Sequence, residues 1–83
     1  MFTIEFSNQS KKFLKKSDNL LAERIFQKIV LLKDDPVPHT AKKIVEEERT
    51  FRIRIGDYRV LYEIIYDKKI ILIDKIDKRS RAY

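Results

Sequence analysis

The chain has 83 residues, of which 43% are hydrophobic and 39% charged, with a net charge of +6 and no cysteine. That length allows one domain with a modest core, and the mix excludes a disordered chain. Without cysteine there is no disulfide or thiolate–metal support and no sign of an oxidising compartment; MFTIEFSNQSKKFLKK has no apolar signal region and no apolar run can span a bilayer, so a cytoplasmic location is expected.

Residues 2–7 alternate Phe2, Ile4 and Phe6 with Thr3, Glu5 and Ser7, the period of a half-buried strand. Ser7 or Asn8 caps a helix over 8–17, anchored by Phe13 and Leu14. Asp18 caps a second helix to about residue 34. Its stripe of Leu21, Ile25, Ile29 and Leu32, widened by Phe26 and Val30, suits packing on a sheet. DDPVPHT ends that helix, because proline cannot continue it. Residues 41–49 read as a connector. Residues 50–55, 58–66 and 69–76 read as strands. Gly56-Asp57 forms a two-residue turn of type II′, and Asp67-Lys68 is a second candidate turn. The expected order is β-α-α-β-β-β: an α+β fold with a helical hairpin on one face of a small, mostly antiparallel, four-stranded sheet.

The charge is uneven. Residues 49–83 carry ten basic and five acidic side chains, and six of the seven arginines: Arg49, Arg52, Arg54, Arg59, Arg79 and Arg81. The Gly56-Asp57 turn sets a register with Ile55 opposite Tyr58, Arg54 opposite Arg59, Ile53 opposite Val60 and Arg52 opposite Leu61. Phe51, Ile53, Ile55, Tyr58, Val60 and Tyr62 then share the core face, and Arg52, Arg54 and Arg59 share the other. Like charges directly opposite each other weaken a sheet. A bound phosphate would relieve this conflict, and guanidinium suits phosphate because its fork is bidentate. The plainer alternative is relief by a carboxylate such as Glu63, Glu46, Glu47 or Glu48. Leu61, Ile65, Ile70 and Leu72 lie on the same face, and an apolar strip beside a basic cluster suggests a protein partner.

In DKRSRAY, Arg79 and Tyr83 are four apart, with the chemistry to neutralise a phosphate and to stack on a base. The face and the tail together point to RNA. Tyr58, Tyr62 and Tyr66 alternate along one strand and read as core. His39, the only histidine, reads as a surface loop residue. No residue spacing suits a metal, and there is no glycine-rich phosphate loop, so no cofactor is expected.

FRIRIGDYRVLYEI (51–64) and KRSRAY (78–83) resemble the RelE/ParE toxin superfamily, specifically its RelE branch, and the element order agrees over the whole chain. The resemblance implies a single RelE-like toxin domain over 1–83. It implies the toxin of a toxin–antitoxin pair: a ribosome-dependent messenger-RNA endoribonuclease held inactive by a RelB-like antitoxin. It assigns Arg52 and Arg54 to the two basic hairpin positions of the family site, and Arg59 to the phosphate clamp after the turn tyrosine. Arg79 matches the arginine after the last strand, and Tyr83 the tyrosine that stacks on the substrate base. Some bacterial members carry lysine where Arg52 and Arg54 stand, and some extend into a terminal helix beyond the position of Tyr83. Arginine stabilises charge but is a poor general base, so Glu46, Glu47, Glu48, Lys42 and Lys43 are candidate bases. The expected reaction is metal-independent attack of the 2′-hydroxyl on the adjacent phosphate. The rivals are a ParE-like inhibitor of DNA gyrase, which uses the same fold, a non-catalytic RNA-binding module, and a toxin decayed into inactivity.

Overall fold

Strand β1 (Thr3–Phe6) begins the chain and Ser7 ends it by capping a helix. Ser7 is extended at φ −67° and its side chain accepts from Ser10 N, which starts α1 (Asn8–Lys16). Asp18 repeats the device, accepting from Leu21 N at 2.9 Å, and starts α2 (Asn19–Val30). A 3₁₀ turn, Leu31–Lys33, follows where a longer single helix is expected from the apolar pattern. The computed structural model describes residues 1–44 and 49–78.

Four strands complete the sheet: β2 (Lys42–Lys43), β3 (Thr50–Ile55), β4 (Tyr58–Ile65) and β5 (Ile70–Lys78). The strand order is β1-β5-β4-β3-β2. The pair β1–β5 is parallel and the other pairs are antiparallel. The sheet therefore has five strands rather than the expected four. The fifth, β2, comes from the connector: its two residues add to the free edge of β3, and Ile44 N donates to Thr50 O at 2.9 Å. Unpaired edge groups favour such an addition even where the side chains give no alternation.

Both helices cover one face. Ile25, Ile29 and Leu32 meet Phe51, Ile53, Ile55, Val60, Tyr62, Ile64, Ile71, Ile73 and Ile76, all buried. The stripe read from α2 is thus its core face, with Phe26 at the margin, stacked on Phe6 at 6.1 Å. Tyr62 is fully buried and Tyr58 packs edge-on against Phe13 at 5.8 Å. Tyr66 departs from its expected core position. It is 52% exposed, because β4 ends at Ile65 and Tyr66 enters the turn. Among the described residues no helix is long and apolar enough to cross a membrane.

The two hairpins follow their turn chemistry. Gly56 has φ +58° while Asp57 keeps a negative φ, the pattern of a type II′ turn. The β3–β4 register is as expected: Ile55↔Tyr58, Arg54↔Arg59, Ile53↔Val60, Arg52↔Leu61 and Phe51↔Tyr62. Asp67 and Lys68 are the central residues of the second turn, closed by Lys69 N donating to Tyr66 O at 3.2 Å. Lys69 adopts φ +54°, so Tyr66 and Lys69 leave the ladder and pairing begins at Ile65↔Ile70.

Strand β5 is not regular. Leu61 pairs with Lys75 and Tyr62 with Ile73, so Asp74 is an inserted residue, a β-bulge. On the other side of β5, β1 stops at Phe6↔Ile73. Side chains at the start of α1 replace it there. Ser7 Oγ donates to Asp74 O at 2.7 Å and Ser10 Oγ, fully buried, donates to Ile73 O at 3.0 Å. Gln9 donates to Ile76 O at 2.9 Å and accepts from Ile76 N at 3.0 Å, as a neighbouring strand would.

Candidate functional site: a cationic sheet face

The face of the sheet turned away from the helices is built by register. Opposed residues of a ladder point the same way, so Arg54, Arg59 and Asp77 form one row across β3, β4 and β5. Lys42, Arg52, Leu61 and Lys75 form the next, from β2 to β5. Three guanidinium groups and two ammonium groups thus gather at one end of the face. Leu61, Ile65, Ile70 and Leu72 are half-buried along the same face, with Glu63 between them.

The row partners differ in their charge balance. Arg59 Nε donates to Asp77 Oδ1 at 2.9 Å and its Nη2 to Oδ2 at 3.4 Å. Lys75 Nζ lies 3.7 Å from the same carboxylate. The carboxylate that balances Arg59 is therefore Asp77, not Glu63, which pairs with Thr50 and Leu72. Arg54 is exposed at the head of its row. Among the described residues Arg52 has no ion pair, and its Nε is buried without a hydrogen-bond partner. A buried, unpaired polar group costs about 1–3 kcal/mol.

Arg79 and Tyr83 lie outside the described residues, as do the candidate bases Glu46, Glu47 and Glu48. The two lysine candidates separate by parity. Lys42 pairs with Arg52 and shares its face, whereas Lys43 pairs with Phe51 on the helix side. His39 is exposed in the loop after α2.

Asp77 was not among the residues expected at the site, although a signal for it exists in the sequence. Ile71 and Ile73 keep a period of two, and Ile76 breaks it after the polar pair Asp74-Lys75. An insertion there is what brings Ile76 to the core and Asp77 to the open face.

This fold, a helical hairpin on one side of a five-stranded sheet, matches that of solved toxins. The isolated RelE toxin of E. coli superposes with a TM-score of 0.87 at 19% identity, covering 99% of this chain and 88% of that one. The RelE of an archaeal RelE–RelB complex from Pyrococcus horikoshii superposes with a TM-score of 0.81 at 27% identity, covering 98% of each chain. A family model describing the ParE toxin of type II toxin–antitoxin systems matches residues 4–83, and the chain belongs to that family. A relative in Methanocaldococcus jannaschii, provisionally named toxin RelE1, is 32% identical over 85 residues, 99% of this chain and 94% of that protein.

Proposed function

We propose that this chain is a ribosome-dependent messenger-RNA endoribonuclease, the RelE-like toxin of a toxin–antitoxin pair. The observation that carries the reading is the shared open face of Arg52, Arg54 and Arg59. Such a face suits a phosphodiester that gains negative charge during reaction. The 2′-oxygen bonds to phosphorus and the bond to the 5′-oxygen breaks, leaving a 2′,3′-cyclic phosphate and a 5′-hydroxyl. A base takes the 2′-proton and an acid protonates the departing oxygen. Arg52, Arg54 and Arg59 stabilise the phosphoryl oxygens. Arg79 assists the leaving group and Tyr83 stacks on the base, roles that rest on the family resemblance. Lys42, on the same face, and Glu46, Glu47 or Glu48 remain the candidate bases. A ribosome that holds the messenger in line lowers the demand for a strong base, since alignment itself supplies much of the rate.

A RelB-like antitoxin is the partner this reading requires. The Pyrococcus horikoshii relative was solved with RelB. An acidic amphipathic segment would cover both the arginine rows and the strip of Leu61, Ile65, Ile70 and Leu72.

The test is cleavage mapping by primer extension in a translating extract. The wild-type chain is expected to produce cuts in ribosome-bound messenger, and Arg59→Ala to reduce them by about a hundredfold. The ParE label of the family model favours one rival, inhibition of DNA gyrase. Gyrase-linked DNA breakage without messenger cleavage would establish that rival instead.

A further inference from the structure

Arg59 stands between an arginine and an aspartate: Arg54 directly opposite on β3 and Asp77 directly opposite on β5. The second neighbour exists only because of the bulge. Unbroken alternation from Ile71 and Ile73 would send residue 77 into the core and turn Ile76 outward. The inserted Asp74 reverses both, so that Ile76 is fully buried and Asp77 meets the guanidinium. The reversal is held along the edge of β5 by the start of α1, through Ser7 on Asp74 O and Gln9 on both main-chain groups of Ile76.

We propose that Asp77 is a positioning residue that holds the Arg59 guanidinium in one orientation on the phosphate-binding face. The inference rests on the endoribonuclease reading and deepens it. The contact is side-on, with Nε on Oδ1 at 2.9 Å and Nη2 on Oδ2 at 3.4 Å, and such a two-point contact fixes the plane of the group as well as its place. Both side chains are mostly shielded, at 32% and 24% exposure, so the pair is less screened than a solvated surface pair. A carboxylate at this point repels any polyanion. Its contribution is therefore expected in the rate of the bound complex and not in RNA affinity. That expectation separates orientation from simple relief of the Arg54–Arg59 repulsion, which would appear as stability alone.

The experiment is a double-mutant cycle on ribosome-bound messenger, with the full-length chain as wild type, Asp77→Ala, Arg59→Ala and the double variant. Thermal unfolding of each is measured alongside. Asp77→Ala is expected to lower the cleavage rate at saturating ribosome complex by about tenfold to a hundredfold, with KM unchanged or lower. The double variant is expected to be no slower than Arg59→Ala. Wild-type rate in Asp77→Ala, or a double variant slowed by the product of the two single effects, overturns the inference. Should Asp77→Ala not fold, Asp77→Asn keeps the shape while losing the charge and one acceptor, and the same rate criteria apply to it. Absence of cleavage by the wild-type chain overturns the endoribonuclease reading itself, and the inference with it, whereas normal wild-type cleavage with an unaffected Asp77 variant removes the inference alone.

Discussion

Tyr62 shows how one side chain ties the core to solution pH. Its ring stacks on Phe51 at 5.9 Å and its hydroxyl donates to Pro36 O at 2.7 Å, pinning the loop after α2 to the sheet. Burial pushes its pKa well above the ordinary tyrosine value, and the nearby Asp35 and Tyr66 push the same way. The folded chain therefore holds this proton at a pH where the unfolded chain releases it. Stability from this source is complete below about pH 10, the unfolded value, and falls as pH rises above it, by up to about 1.4 kcal/mol per unit. Tyr62→Phe is expected to cost about 1 kcal/mol at neutral pH through the lost hydrogen bond. It is also expected to flatten the decline above pH 10. Urea unfolding of both proteins at pH 7 and at intervals from pH 9 to 11 measures this; parallel declines would show that Tyr62 does not drive it.

At the scale of elements, the two hairpins contrast in how they meet a positive φ. Gly56 meets it without strain at +58°, and a Cβ there would lie 3.0 Å from Arg24 Nη2, a tight contact with the end of a flexible side chain. Lys69 adopts +54° with a full side chain. The strain of a left-handed non-glycine residue is about 1–2 kcal/mol, and glycine's greater unfolded freedom costs about 0.5–1 kcal/mol. Lys69→Gly is expected to stabilise by the difference, about 0.5–1 kcal/mol, read as a raised denaturant midpoint at constant slope. The start of α1 is the other element with a measurable role. Gln9→Ala leaves the N–H and C=O of Ile76 without their partner and is expected to destabilise by about 1–2 kcal/mol. Hydrogen exchange at the Ile76 amide should quicken in that variant before exchange in the β3–β4 ladder does.

For the whole molecule, the dominant property is where the charge of +6 sits. Helix α1 carries Lys11, Lys12, Lys15 and Lys16 with no acid, and the two rows at the end of the sheet face set five cations against one carboxylate, Asp77. RNA binding to that face should weaken steeply with salt. Each phosphate neutralised contributes about −0.7 to the slope of log K against log salt for a single strand. Arg59→Ala should therefore reduce the slope by about 0.7, as measured by fluorescence anisotropy with a labelled oligoribonucleotide; an unchanged slope would show that Arg59 does not touch phosphate.

What could be read from the residues alone is local. The Gly56-Asp57 turn is short enough to dictate the whole β3–β4 register, so the shared face of Arg52, Arg54 and Arg59 followed from periodicity and turn chemistry. The caps at Ser7 and Asp18 and the buried stripe of α2 were legible for the same reason, since each depends on neighbours within a few residues. The five-stranded order, the parallel pairing of β1 with β5 and the Lys42–Lys43 edge strand were not, because pairing between distant segments depends on which apolar faces and open edges meet. The bulge at Asp74 left one trace in the sequence, the broken period at Ile76, which does not by itself say where the inserted residue sits. It is fixed by contact between the start of α1 and a strand more than sixty residues later, and only that contact brings Asp77 to Arg59.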